Sequence, residues 1–243
     1  FCGIGLTMFE NDDTDFFREE MNPDNPNQVR FRGQWEDLAV REEIIKVKGE
    51  EDVLFTIKSS RHGPLFNGMM ELADSTAAPV SLWWELQHQT NYAIQSVYAM
   101  NHASSFVQVE QAVAALSAPG LNVMYADTEG TIAWWAAARL PIRPVHVNSK
   151  FFLDGASGND EYLGYYDFSK NPHAINPPWG FVYSANNQPD AMEGVLYPGY
   201  YYPRSRSGRI VELLKEDKMW TVAEISKMNV DVTSAMHTDI AKT

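Results

Sequence analysis

The sequence predicts an α+β protein built from antiparallel sheets, and three observations predict it. Strand-like segments fill the first third, a helical period takes over near Asn91, and a hairpin and further helices follow. Strands and helices in separate runs favour layered antiparallel sheets over a doubly wound parallel one. The chain has 243 residues and is 44% apolar, enough for a substantial core. Seven Trp, twelve Phe and eleven Tyr make that core aromatic. There is no repeat or linker, so residues 1–243 are expected to form a single domain.

The elements follow in order. "FCGIGLTMF" is apolar with small residues and reads as a strand already in progress, so the chain is expected to be an internal portion of a longer protein. Alternation through Val29, Phe31 and Trp35, then Ile44 to Ile57 around the break "KGEED", predicts a meander with one wet face. "RHGPLFNG" closes it with a Gly-Pro turn. "PVSLWWELQ" is another strand. Helical spacing covers Ile94 to Asn101 and Val107 to Leu116. A hairpin runs Leu121 to Ala126, turns over Asp127 to Gly130 and returns along Ile132 to Ala138. Residues 141–180 are rich in Pro, Gly, Asn and aromatics and read as ordered loop. "GFVYSANNQ" is expected to be a short strand. "SRSGRIVELLKE" starts a helix with Ser205 or Ser207 as its cap. Thr221, with Glu224 three residues on, begins another with a capping box.

Charge narrows the partners. Nineteen Lys and Arg against thirty-two Asp and Glu leave a net charge of −13, which does not suit nucleic acid. No apolar run reaches the length of a membrane span. With one cysteine, Cys2, no disulfide forms within the chain. Cys2 reads as a strand cysteine in the core; after loss of Phe1 it would instead be an N-terminal nucleophile.

Several clusters carry possible chemistry. Asp12, Asp13 and Asp15 fall within four positions. In open water they form a solvated acidic turn, the reading their pattern alone favours. The competing reading is a cation loop, in which the carboxylates and the Thr14 carbonyl converge on a hard ion. His62 sits at a turn without a triad pattern and reads as structural, and the other five histidines lack metal-ligand spacing. Asn186 and Asn187 are either an Asn-rich turn or a side-chain amide aimed into a cleft, where it would donate to an oxyanion. Arg204, Arg206 and Arg209 crowd a helix start, where positive charge opposes the dipole and calls for a carboxylate partner.

Taken together, five stretches are similar in content and order to the β subunit of the penicillin acylase family of N-terminal-nucleophile hydrolases. They are "GLTMFENDDTDFF", "SSRHGPLFN", "YADTEGTIAWWAAARLPIR", "GFVYSANNQP" and "RSRSGRIVELL", spanning Gly5 to Leu214. The resemblance implies a four-layer α/β/β/α sandwich and a nucleophilic Ser, exposed by autocatalytic cleavage, whose own α-amine is the base. That Ser would lie outside this chain, which alone is then expected to be inactive. The resemblance further implies that Asn186 and the Met8 backbone N–H form the oxyanion hole and that Arg206 organises Asn186. It implies calcium held by Asp12, Asp15 and the Thr14 carbonyl, with Asp13 turned away, a carbonyl near Ser149, and Asp190 or Glu193 as a further carboxylate. Leu6, Glu10 and Leu121 would line the substrate pocket. Glu10 stands where an aromatic wall serves the phenylacetyl-specific members, which leaves acyl-homoserine lactones, other N-acyl amines and peptides open. The implied partners are an α subunit and the rest of the β subunit, and the implied location is periplasmic or secreted. A non-catalytic, calcium-stabilised member is the alternative.

Overall fold

The computed structural model describes residues 1–69, 78–88, 90–191, 196–216 and 218–234. The strands and helices in chain order are β1 (Cys2–Met8), β2 (Thr14–Arg18), β3 (Met21–Asn22), β4 (Asn25–Phe31), β5 (Gln34–Asp37), β6 (Ala39–Ile45), β7 (Val53–Ser60), β8 (Gly63–Pro64), β9 (Val80–Trp84), α1 (Glu85–His88), α2 (Ala93–His102), α3 (Phe106–Ala114), β10 (Leu121–Asp127) and β11 (Ile132–Ala137). The remainder are β12 (Pro141–Ile142), β13 (Leu153–Asp154), β14 (Gly164–Tyr165), β15 (His173–Ile175), α4 (Ser205–Leu214) and α5 (Val222–Asn229). They sort into two compact units, each assembled from separate stretches of chain.

The first unit holds Phe1–Asn11, Asn91–Arg139 and the described part of Asp167–Thr243. Its sheet runs β1-β10-β11-β15, antiparallel throughout. Opposite residues share a face, so Leu6 with Val123 and Trp135, and Met8 with Leu121 and Ala137, point one way. On that face Val123, Tyr125, Ala133 and Trp135 pack with Val109 and Val113 of α3 and Met100 of α2. Helices therefore cover one side of the sheet. The helix spacing and the hairpin read from sequence both hold.

Strand β1 is the edge. Phe9 N–H donates to Gly120 O (3.0 Å) and Thr128 N–H to Phe1 O (3.1 Å). In an antiparallel ladder these bonds make the odd residues of β1 the hydrogen-bonded ones, so the even residues turn their N–H and C=O outward. Among the described residues no strand pairs with that outer edge.

The second unit holds the described residues of Asp12–Thr90 and Leu140–Tyr166. The expected meander is split here into small sheets: β3-β4-β5, β6-β7-β8 and β13-β2-β9. Strand β6 is exposed along its whole length, so its hairpin with β7 has two wet faces instead of one. The only parallel pairing in these sheets is the short β13–β2 contact. Phe17, Val29, Val80, Leu140 and Leu153 are buried in this unit.

Two local expectations fail. "GFVYSANNQ" is not a strand; the segment makes only the isolated bridge Asn187–Tyr202. Its polar groups are met by side chains instead: Asn187 Oδ1 takes the Ala185 N–H at 3.2 Å and Ser184 Oγ takes the Asn186 N–H at 3.2 Å. Neither Ser205 nor Ser207 caps α4; the N-cap is Arg204, and Ser207 Oγ donates back to its carbonyl at 3.2 Å. The Thr221–Glu224 capping box forms as predicted.

Candidate functional site

Residues from three distant stretches meet at the end of β1 in the first unit. Asn186 stands in the left-handed region, φ +58°, which Asn tolerates better than most residues. Its backbone carbonyl is held by the Tyr202 N–H at 2.8 Å. Its side-chain Nδ2 donates to the Met8 carbonyl at 2.8 Å, and Arg206 Nη2 donates to its Oδ1 at 3.1 Å. The guanidinium fixes which end of the amide is the acceptor, so the NH₂ end must face Met8. One of its two N–H groups is spent there and one is left over.

Arg206 thus answers to an amide, not to the carboxylate expected at a cationic helix start, and it also lies over the Tyr202 ring at 4.7 Å. Its neighbours do find carboxylates: Arg204 with Asp190 at 3.4 Å, and Arg209 with Asp231 at 2.8 Å. Asp190 is 97% exposed, and Glu193 lies outside the described residues.

Met8 is an even residue of β1, so its N–H as well as its C=O turns to the open edge. An edge N–H and an oriented amide therefore meet at one strand end, the donor pair an oxyanion needs.

Four residues that the sequence reading missed complete this region. Asn122, 2% exposed, donates through Nδ2 to the Met8 carbonyl at 2.9 Å and to Thr7 Oγ1 at 3.3 Å. Its Oδ1 accepts from Trp134 Nε1 at 2.9 Å. Thr7 Oγ1 and Ser184 Oγ are 2.7 Å apart. The signal was there in "LNVMY", where a lone Asn interrupts apolar residues of a strand; a buried amide in that position needs partners. Asn122, Trp134 and Ser184 also border a cavity of about 460 Å³ walled by Trp179, Phe181 and Tyr183.

The expected pocket residues lie elsewhere on the strand end. Leu6 and Leu121 project from the helix-covered face, opposite to Asn122, and Leu6 is 47% exposed. Glu10, at φ +59°, uses its carbonyl to hold the Tyr200 N–H at 2.8 Å. Cys2 lies within β1, partly buried against the core of this unit.

The acidic cluster belongs to the second unit, and burial overturns the solvated-turn reading: Asp12 is 3% exposed and Asp15 0%. Arg143 Nε donates to Asp15 Oδ2 at 2.8 Å, and its Nη2 reaches the Asp12 carbonyl at 3.2 Å. The Tyr162 hydroxyl also bonds Asp15. Burial pushes the Asp12 carboxyl above its ordinary value, although the Ser149 hydroxyl and Arg143 pull it back. Two buried carboxyls share one guanidinium, and Asp12 Oδ1 and Asp15 Oδ1 are buried with no hydrogen-bond partner. Thr14 Oγ1 donates to Asp13 Oδ1 at 3.0 Å. Among the described residues, no three His, Cys, Asp or Glu converge as a metal-binding group.

A solved structure with this fold is the thermostable penicillin G acylase from Alcaligenes faecalis, matched with a TM-score of 0.79 at 27% identity over 94% of this chain and 40% of that one. The class is thereby defined: an antiparallel α+β chain of the N-terminal-nucleophile hydrolase fold. The penicillin amidase family profile matches residues 2–243, and the chain belongs to that family. Relatives include penicillin acylase 2 proenzyme of Pseudomonas sp. (28% identical over 90% of this chain) and acyl-homoserine lactone acylase QuiP of Pseudomonas aeruginosa (25% over 95%). Penicillin G acylase of Escherichia coli is 28% identical over 90%. The chain spans 28%, 28% and 26% of these three relatives, respectively.

Proposed function

We propose that this chain supplies the oxyanion hole of an amidohydrolase that cleaves a linear N-acyl amide. The acyl group passes to an N-terminal Ser outside the chain and then to water. The observation that carries the reading is the oriented Asn186 amide, clamped by Arg206 and set beside the outward N–H of Met8. As the amide carbon becomes tetrahedral, its oxygen gains charge. The Met8 N–H and the free N–H of Asn186 are preorganised to meet it, without reorientation at the moment of reaction. Relatives named for penicillin and for acyl-homoserine lactones both fit an N-acyl substrate. The full-length protein, assayed for acyl release with acyl-homoserine lactones, phenylacetyl amides and short N-acyl peptides, should turn over at least one class. Binding without turnover of any would favour the non-catalytic reading. We assign the protein to the periplasm or exterior, with an α subunit as partner, on the same family grounds.

Calcium is part of the proposal as a structural ion. The donor set fits: two buried carboxylates each keep one oxygen without a partner, and hard cations take carboxylate and carbonyl oxygens. Asp12, Asp15 and the Thr14 carbonyl would hold it, and the ion would offset the buried negative charge. Titration calorimetry with calcium alone should show binding that Asp12→Asn abolishes; no heat in the wild type would return the site to Arg143 and Tyr162.

A further inference from the structure

A second buried charge system lies in the second unit, and the proposed reaction does not use it. His62 is 0% exposed, at the turn between β7 and β8. Its ring is stacked on Phe17, with centroids 4.0 Å apart and planes 6° apart, and meets the edge of Phe31. Both ring nitrogens face carboxylates: Nδ1 lies 2.8 Å from Glu19 Oε1, and Nε2 lies 2.6 Å from Glu161 Oε1.

A neutral imidazole has one donor and one acceptor, and an ionised carboxylate only accepts. One of the two contacts would then set lone pair against lone pair. Glu19 Oε1 already receives hydroxyl hydrogens from Ser60 at 2.5 Å and Ser81 at 2.7 Å, the surroundings of an ionised carboxylate. The geometry is satisfied when His62 carries both protons, as an imidazolium between two carboxylates.

We propose that Glu19, His62 and Glu161 form a proton-operated clamp: the imidazolium fastens the segment around Glu161 to the buried base of the unit, and loss of one proton releases it. Glu19 follows β2, His62 lies in the turn joining β7 to β8, and Glu161 belongs to the loop after β13, so three separate pieces depend on one proton. The loop is the piece that leaves, because the Glu161 side chain is 24% exposed while those of Glu19 and His62 are 1% exposed. Water can take over the hydrogen bonds of Glu161 but not those of Glu19.

Other charges face the group. Arg61 and Arg32 act on Glu161, Asp154 acts on His62, and His88 Nε2 lies 3.0 Å from the His62 carbonyl. Burial opposes the imidazolium, but the bonds to Glu161 and Glu19 outweigh it, so His62 titrates above its ordinary 6.5. A raised folded value means the clamp is fully closed below 6.5 and weakens as pH rises toward the folded value.

Two measurements on the purified protein test this. Imidazole ¹⁵N shifts should show both His62 nitrogens protonated at pH 6.5, where a free imidazole is half neutral. Hydrogen exchange, corrected for intrinsic rate, should show protection in residues 153–161 falling up to about tenfold per pH unit above 6.5, one proton's worth. Glu161→Gln is conservative and partly exposed, so folding is preserved. It should lower the His62 titration point and remove the pH dependence of loop protection. A singly protonated His62 at pH 6.5 would overturn the clamp, as would loop protection that ignores pH while His62 titrates.

Discussion

At the scale of single residues, the region at the end of β1 depends on who bonds to whom. Asn186 is useful because Arg206 takes its oxygen, and Met8 is useful because its strand register turns its N–H outward. Asn122 supports both by holding the Met8 carbonyl and being held by Trp134. Replacing Asn122 with Leu should leave the Trp134 N–H without its acceptor and take one of two donors from the Met8 carbonyl, which keeps Asn186. That costs about 1–3 kcal/mol, readable as a lowered denaturation midpoint. In the other unit, Asp15→Asn would leave Arg143, whose side chain is 8% exposed, short of its main counter-charge. Breaking such a pair costs about 3–5 kcal/mol, and chemical denaturation would show it. The sequence made these residues only half legible. The acidic run looked solvated because nothing in "NDDTD" announces Arg143, 128 positions away from Asp15. Asn186 is visible as half of a polar pair, and the role proposed for it rests on the five-motif resemblance.

At the scale of elements, periodicity told most where a face is buried. Helices α2 and α3 and the β10–β11 hairpin were readable because one face of each packs into an apolar core. The segment around Asn186 was not readable, because its carbonyls and N–H groups are satisfied by Ser184, Asn187 and Tyr202, contacts no strand pattern encodes. Turns were legible where backbone geometry demands a special residue. Gly63 has φ +125°, and a Cβ there would lie 2.0 Å from the Leu82 carbonyl oxygen. Gly63→Ala combines backbone strain with an overlap that cannot relax through a side chain, a loss of about 2–5 kcal/mol. Thermal unfolding should show it, and an unchanged midpoint would mean that the β7–β8 turn is not built as described. The capping box of α5 is the milder case: Thr221→Ala should cost about 1 kcal/mol.

At the scale of the whole molecule, two histidines set opposing limits on pH. His62, raised, gives stability that is present below 6.5 and lost as pH climbs. His88, lowered first by burial, resists protonation in the folded chain, so stability is lost as pH falls below 6.5. From these two groups, stability descends on each side of pH 6.5. Melting temperature against pH would show this, and His88→Gln should flatten the acid limb alone. The antiparallel α+β architecture was legible across the whole sequence because strand and helix runs alternate in blocks. The division into two discontinuous units was not, because residues 12–90 interrupt the first unit without any linker-like composition. Asn186, held by Arg206, is the proposed preorganised donor to the oxyanion of an N-acyl substrate. That role is tested most directly by steady-state kinetics of Asn186→Ala in the full-length protein. A fall in kcat of about 10²–10³-fold is expected, with KM changed far less; an Asn186→Ala enzyme that keeps the wild-type kcat would rule this role out.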